Sequence, residues 1–146
     1  MPNLSQLILV MTLCLAVAGC FWENTDTSYD TAKEAISSGV LVKGWIPEWL
    51  PQDATDLREV HNIDSNAGEL SFVVPNSESV QIPTDCRSVE YTDTVPAYIR
   101  RNWWPSEDEL RRSYLFFRCP ADFTDYKFVA ITKAGNRVLH WRTYAR

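Results

Sequence analysis

The sequence has few of the residues, and none of the motifs, by which enzymes are commonly recognised. Among its 146 residues only two are histidines and only five are glycines. It contains no Gly-x-Ser-x-Gly nucleophile motif, no His-Glu-x-x-His zinc motif and no glycine-rich phosphate loop. Because no side chain stands out as a nucleophile, we predict that the protein is not an enzyme. We also predict that it has no catalytic residue, no cofactor and no metal.

The sequence also lacks an apolar run long enough to cross a membrane. The run from Leu7 to Leu15 is much shorter than the roughly 20 residues that a transmembrane helix needs. It is followed by small residues and then by Cys20, an arrangement typical of a secretory signal. The ending Val-Ala-Gly-Cys resembles the lipobox of bacterial lipoproteins, which implies cleavage before Cys20 and a lipid such as palmitate on its sulfur.

The signal departs from the usual pattern because residues 1–6 contain no Lys or Arg. Either the α-amino group supplies the only positive charge, or the true start lies upstream of Met1. A plain signal peptide, with Cys20 as an ordinary small residue, is the alternative. In a Gram-negative cell, Phe21 after the cysteine implies delivery to the outer membrane, facing the periplasm. A secreted periplasmic protein and an inner-membrane lipoprotein are the other two possible destinations.

We divide the chain into a lipoprotein signal peptide (1–19), a lipidated cysteine with its tether (20–27) and a single head domain (28–146). The head is long enough to bury a core of its own. Residues 20–99 hold 14 acidic and 4 basic side chains, whereas residues 100–146 hold 5 acidic and 10 basic ones. This asymmetry predicts either one acidic and one basic face or two halves that neutralise each other in the fold.

Two of the four cysteines remain once the signal and the lipidation site are set aside. These are Cys86 and Cys119, and export to an oxidising compartment favours a disulfide between them. A reactive or metal-binding thiol pair is the alternative, although the separation does not match a tight metal knuckle.

The predicted elements form an antiparallel α+β domain. Capping patterns at Thr27 and Ser106 predict two short helices, which end near Gly39 and Ser113. Residues 57–63 with 69–74, and 127–132 with 137–144, predict two hairpins. A further strand is predicted over 114–119, and short edge strands are predicted near residues 80 and 89. The fold class is therefore a small antiparallel sheet, made of two hairpins plus a strand, with two short helices that cover one face.

One stretch of the sequence has a long pattern of mixed residue types: Gly44-Trp45-Ile46-Pro47, Trp49-Leu50-Pro51, Ala54, Leu57, Glu59, His61, Ile63-Asp64-Ser65-Asn66, Leu70 and Phe72. This stretch resembles the YbbD-like head domain of uncharacterised small bacterial lipoproteins. The resemblance implies that the opening helix, Cys119 and the terminal hairpin belong to the same domain, so that it covers most of the mature chain. Ser65 stands where the family pattern has Thr, and the resemblance implies no particular activity.

Two segments inside this stretch are the candidate partner-contact region. Trp45 and Trp49 lie in an irregular, proline-bounded segment, where tryptophans either fill a small core or offer an anchor to a glycan or a protein. His61, Asp64 and Asn66 lie in and next to a predicted turn.

The turn also invites a metal hypothesis, because Asn62, Asp64 and Asn66 alternate as in a calcium loop. Ala67 stands where such a loop needs glycine, and Val73 stands where it needs glutamate. We therefore expect a hairpin turn held by its own side chains and no metal.

A third segment, from Arg100 to Trp104, interleaves cations with aromatic rings. A pattern of this kind can bind nucleic acid, but we expect no nucleic-acid partner for an exported protein. Anionic lipid, lipopolysaccharide phosphate or an acidic protein suits an envelope protein better, and a solvated face paired with its own carboxylates is the plainer alternative.

From these observations we expect a non-enzymatic interaction module that contacts the membrane through its lipid and binds an unidentified envelope protein. The alternative is an inhibitor or immunity-type protein against a toxin or a cell-wall hydrolase.

Overall fold

The computed structural model describes residues 23–122 and 124–144. The predicted signal peptide, the lipidation site Cys20 and the two residues after it lie outside the described residues, so these assignments stay predictions. Within the described ranges, no helix is long and apolar enough to cross a membrane.

One antiparallel sheet of seven strands forms the centre of the fold, with the spatial order β1-β2-β3-β7-β6-β5-β4. The prediction of an antiparallel sheet with two short helices is confirmed, but the sheet is larger than two hairpins and a strand. The strands are β1 (Asn24–Thr31), β2 (Thr55–Asn62), β3 (Gly68–Val73), β4 (Arg87–Val89), β5 (Tyr114–Cys119), β6 (Asp125–Thr132) and β7 (Arg137–Tyr144). The helices are α1 (Ala32–Ser37), α2 (Glu107–Ser113) and two 3₁₀ helices, Ser77–Ser79 and Tyr91–Asp93.

The first element corrects the prediction of a helix that begins at Thr27. That residue lies inside β1, which pairs with β2, and α1 begins only after Thr31. The Thr31 hydroxyl accepts a hydrogen bond from the Glu34 amide (3.2 Å), and the Glu34 carboxylate accepts one from the Asp30 amide (2.9 Å). Both sites have the spacing of a capping box, so the local sequence does not choose between them. The ladder with β2 makes the choice.

Both faces of the sheet are covered, which corrects the expectation that the two helices lie on one face. Ala32 and Ala35 of α1 belong to the core of the first face, whereas Leu110 of α2 belongs to the core of the second. The sequence explains this, because β6 carries apolar residues at consecutive positions. Strand neighbours point to opposite faces, so Val129 enters the first core and Phe128 the second.

Irregular chain supplies most of each cover. Residues 40–54 pack over the first face and residues 91–104 over the second. On the second face, the buried Glu69 carboxylate accepts hydrogen bonds from the amides of Ile99 (2.6 Å) and Arg100 (2.9 Å). These bonds hold the loop at Arg100, whose φ of +53° lies in the left-handed region.

A disulfide joins Cys86 to Cys119, as predicted, with the Cα atoms 4.1 Å apart. It connects the chain just before β4 to the last residue of β5. The expected edge strand near residue 89 is present as β4, whereas the chain near residue 80 follows a 3₁₀ helix instead. The short β4 is therefore anchored covalently as well as by its backbone pairing.

Candidate functional site: a cleft at one end of the sheet

The strand register brings polar side chains from β2, β6 and β7 together near one end of the first face. Pairing places His61 opposite Gly68, Gly68 opposite Arg142, and Arg142 opposite Lys127. Side chains that are directly opposite each other project to the same face of a sheet. We call this end, where β1 begins and the turn between β2 and β3 lies, the proximal end.

An irregular segment, residues 44–51, covers this end of the first face. Prolines at 47 and 51 exclude a regular helix, and Gly44 turns the chain with a φ of +75°. The Trp45 ring then stacks on the His61 imidazole, with the ring centroids 3.5 Å apart and the planes inclined by 21°. Trp49 meets His140 edge-on with the centroids 5.9 Å apart. Two tryptophans therefore form one wall of the cleft.

The space between this segment and the sheet is a cleft of about 380 Å³. Its far wall contains the disulfide, so three parts of the chain that are distant in sequence meet there. The lining residues are Gly44, Trp45, Ile46, Pro47, Glu48, Trp49, His61, Asn66, Ala67, Gly68, Pro83, Asp85, Cys86, Cys119, Pro120, Lys127, His140 and Arg142.

Four of the five residues that the sequence analysis nominated line the cleft, namely Trp45, Trp49, His61 and Asn66. Asp64 is exposed and is not part of the lining. Asn66 adopts a φ of +57°, which asparagine tolerates better than most residues. With its amide oxygen turned towards Arg142, Asn66 accepts a hydrogen bond of 2.9 Å from the guanidinium.

The two tryptophans serve the core and the cleft at the same time. Both are half-buried and pack against the core of the first face. The Lys43 ammonium lies 4.7 Å from the centroid of the Trp45 ring, a cation–π distance. With His61 stacked on it as well, Trp45 is a fixed wall and not a free stacking platform.

A buried hydrogen-bonded chain holds His61 in place. The Thr27 hydroxyl donates to Glu59 Oε2 (2.7 Å), and Glu59 Oε1 lies 2.8 Å from His61 Nδ1. Burial raises the pKa of Glu59, while the contacts with Thr27 and His61 oppose that rise. When Glu59 is ionised it can only accept hydrogen bonds, and in that state the proton between the two groups is on Nδ1 of His61.

The other ring nitrogen, His61 Nε2, is buried and has no hydrogen-bond partner among the described residues. A carboxylate–imidazole pair resembles a general base. However, the described lining contains no hydroxyl side chain, and both of its cysteines are in the disulfide. The arrangement offers a fixed hydrogen-bonding group, with neither a hydroxyl nor a free thiol beside it among the described lining residues.

Cations from β6 and β7 also line the cleft. Arg142 forms an ion pair with Asp125. Lys127 has no carboxylate partner within salt-bridge distance in the described part of the chain. Burial, together with the smaller effect of the positive charges of Lys127 and Arg142, lowers the pKa of His140 to about 4. At neutral pH His140 is therefore neutral, and Lys127 supplies an unpaired positive charge.

The titration of His140 gives a first prediction. Its folded-state pKa of about 4 lies below the ordinary value of 6.5, so the folded protein binds fewer protons than the unfolded chain between these values. The part of the free energy of unfolding that depends on a neutral His140 is fully present above pH 6.5, and it is lost as the pH falls towards 4. Because the ring is partly exposed, we expect a loss of about 2–3 kcal/mol. Urea unfolding at several pH values measures it.

The control for this prediction is His140→Phe, which keeps a ring at the position but cannot take up a proton. Its free energy of unfolding should fall less than that of the unchanged protein over the same pH range. An NMR titration in which the His140 ring takes up its proton near pH 6.5 would contradict the prediction.

Sequence reasoning missed Lys127, His140 and Arg142 as cleft residues. Their signal was present but weak, since alternate positions of a strand with a buried face carry His140 and Arg142 where apolar residues are expected. Only the register of β7 with β3 and β6 shows that they face His61 across the sheet.

The described residues form a small domain with one antiparallel sheet covered on both faces, a cleft lined by two tryptophans, and a disulfide beside that cleft. Residues 23–73 match the YbbD head domain family, which confirms the resemblance over that segment. The matched segment contains β1, β2, β3 and the two tryptophans Trp45 and Trp49. It ends before the disulfide and the terminal hairpin, although the resemblance was expected to extend to both. Comparisons with curated proteins and with solved structures find no match to this chain.

Proposed function

We propose that the protein is a non-enzymatic binding module, held at the outer membrane by a lipid on Cys20, and that the cleft is its contact site for an envelope partner. One observation carries the proposal: both predicted contact segments, with Trp45 in one and Asn66 in the other, line the same cleft. The lipobox-like ending at Cys20 and the disulfide, which suits an oxidising compartment, support the location.

The composition of the cleft supports binding. Its volume of about 380 Å³ falls within the usual range for ligand sites. Aromatic walls from Trp45 and Trp49 stand opposite a small number of polar groups, among them the unpaired Lys127 ammonium. Rigid aromatic anchors combined with a few directed polar groups are the features that concentrate binding energy at interfaces.

The alternative function is an inhibitor or immunity-type protein that blocks a toxin or a cell-wall hydrolase. It is favoured by two exposed carboxylates of the cleft lining, Glu48 and Asp85, which suit a basic partner. Sub-micromolar binding of one purified enzyme, together with loss of that enzyme's activity, would select this alternative over a recruiting module.

Crosslinking in intact cells of the encoding organism, followed by affinity purification, tests the proposal. The exposed Glu48 lines the cleft, so Glu48→Lys reverses a charge there without disturbing the core. We expect one dominant partner with the unchanged protein and at least a severalfold smaller yield with Glu48→Lys, because like charges at an interface reduce affinity.

Two controls accompany this experiment. Glu90→Lys makes the same charge change at an exposed residue outside the cleft and should leave the yield unchanged. Cys20→Ala removes the lipid attachment site and should reduce the partner yield by mislocalising the protein. If no partner exceeds this mislocalised control, the binding proposal is wrong.

A further inference from the structure

We propose that the proximal end of the sheet rests on the bilayer, with the turn around Ile63 touching the lipid and the cleft opening at the height of the headgroups. This inference rests on the proposed lipid at Cys20. It identifies the docking surface as that turn and its occupant as a neutral, zwitterionic lipid surface.

The first argument is the length of chain available between the lipid and the fold. The segment 20–27 was expected to be a tether, but β1 begins at Asn24. Only three peptide units therefore separate Cys20 from Glu23, and they reach about 10 Å at most. A lipid on Cys20 thus holds the start of β1 close to the membrane surface, whatever path the intervening residues follow.

The second argument is the position of the β2–β3 turn relative to this attachment. Asn24 pairs with Asn62, so the turn that follows β2 lies beside the start of β1. The Ile63 amide donates to the Glu23 carbonyl at 3.4 Å. The attachment point and the turn are therefore adjacent, at the end of the sheet where the cleft is located.

The third argument is the exposure of Ile63. Its side chain is 69% exposed, although it is a large aliphatic group at the start of a mostly polar turn. A single apolar side chain contributes little membrane affinity alone, but stable anchoring commonly combines one lipid chain with a second, weaker signal. Ile63 is placed to supply such a second signal.

The charged side chains around Ile63 determine which kind of lipid surface the turn can contact. Glu23 and Asp64 flank Ile63 and are both exposed. Of the nearby cations, Arg142 is engaged by Asp125, and Lys127 is half-buried in the lining of the cleft. Exposed carboxylates next to the contact would be repelled by anionic headgroups. A zwitterionic surface, such as phosphatidylcholine or phosphatidylethanolamine, avoids this repulsion.

The test uses the mature chain from Cys20, coupled through that thiol to a maleimide lipid in phosphatidylcholine nanodiscs that carry a spin-labelled lipid. The bridged Cys86 and Cys119 do not react. Methyl NMR of the isoleucines then reports proximity to the spin label. We expect the Ile63 signal to be broadened several-fold more than that of Ile36, a second exposed isoleucine, which lies in α1.

A variant with a ten-residue Gly-Ser insertion after Trp22 should lose this broadening. Replacement of part of the phosphatidylcholine by phosphatidylglycerol should reduce it without abolishing it, because the carboxylates of Glu23 and Asp64 are repelled while the short link to Cys20 still holds the turn near the surface. Equal broadening of Ile63 and Ile36, or broadening that survives the insertion, would overturn the inference. Since the coupling is chemical, such a failure is separate from a failure of the proposed lipidation, which mass spectrometry of the cell-made protein checks independently.

Discussion

Replacing Trp141 with alanine is expected to lower the free energy of unfolding by about 3–5 kcal/mol, the usual range for truncating a large buried aromatic residue. Trp141 is 3% exposed and lies at the centre of the second-face core. Its ring stacks on Phe128 with the centroids 5.1 Å apart and meets Trp104 edge-on at 5.7 Å. Its indole nitrogen also donates to the Val95 carbonyl (2.9 Å), so the substitution detaches irregular chain as well as emptying a core position.

Trp141→Phe is the matched variant, because it keeps a ring in the core but removes the hydrogen bond to Val95. We expect it to retain much of the stability that Trp141→Ala loses, with the missing bond costing about 1 kcal/mol. Chemical denaturation measures both variants. If Trp141→Ala unfolds at the same denaturant concentration as the unchanged protein, the second-face cover does not depend on this residue and the packing account is wrong.

Removing the disulfide should have a similarly large effect. The double variant Cys86→Ser, Cys119→Ser frees a loop with a sequence separation of 33. On the chain-entropy treatment we expect a loss of about 3–4 kcal/mol in the free energy of unfolding. Both cysteines line the cleft, so we also expect the yield of the crosslinked partner to fall.

The unchanged protein, unfolded and refolded with and without a reducing agent, provides the comparison for this variant. The reduced protein should match the double variant in stability, because both lack the same covalent link. Equal stability of the oxidised and reduced proteins would show that the bridge contributes nothing to the fold.

Much of the sheet could be predicted from the sequence because its strands carry local signals. The run from Tyr114 to Cys119 and the turn residues around Gly135 define β5 and the last hairpin directly. The first helix could not be placed, because Thr27 and Thr31 both begin a capping pattern and only pairing with β2 distinguishes them. The double cover was missed because irregular chain, which supplies most of it, has no periodic pattern.

The residues of the candidate site, too, could be predicted only in part. Trp45, Trp49 and His61 could be nominated because aromatic residues between prolines and polar residues at a turn are unusual locally. Lys127 and Arg142 could not, since their place in the cleft depends on which strands are neighbours. The neighbour of β3 is β7, 64 residues or more further along the chain in every pair, and no local pattern encodes that choice.

The measurement that most directly tests the central claim places a photo-crosslinking amino acid at position 48, at the cleft, and separately at position 90, outside it. Both positions are exposed glutamates, so the substitution is matched. If the cleft is the binding site, illumination of intact cells gives one discrete adduct from position 48 and none of the same mass from position 90. The same adduct from both positions, or an adduct from position 90 alone, would contradict the assignment of the cleft as the contact site.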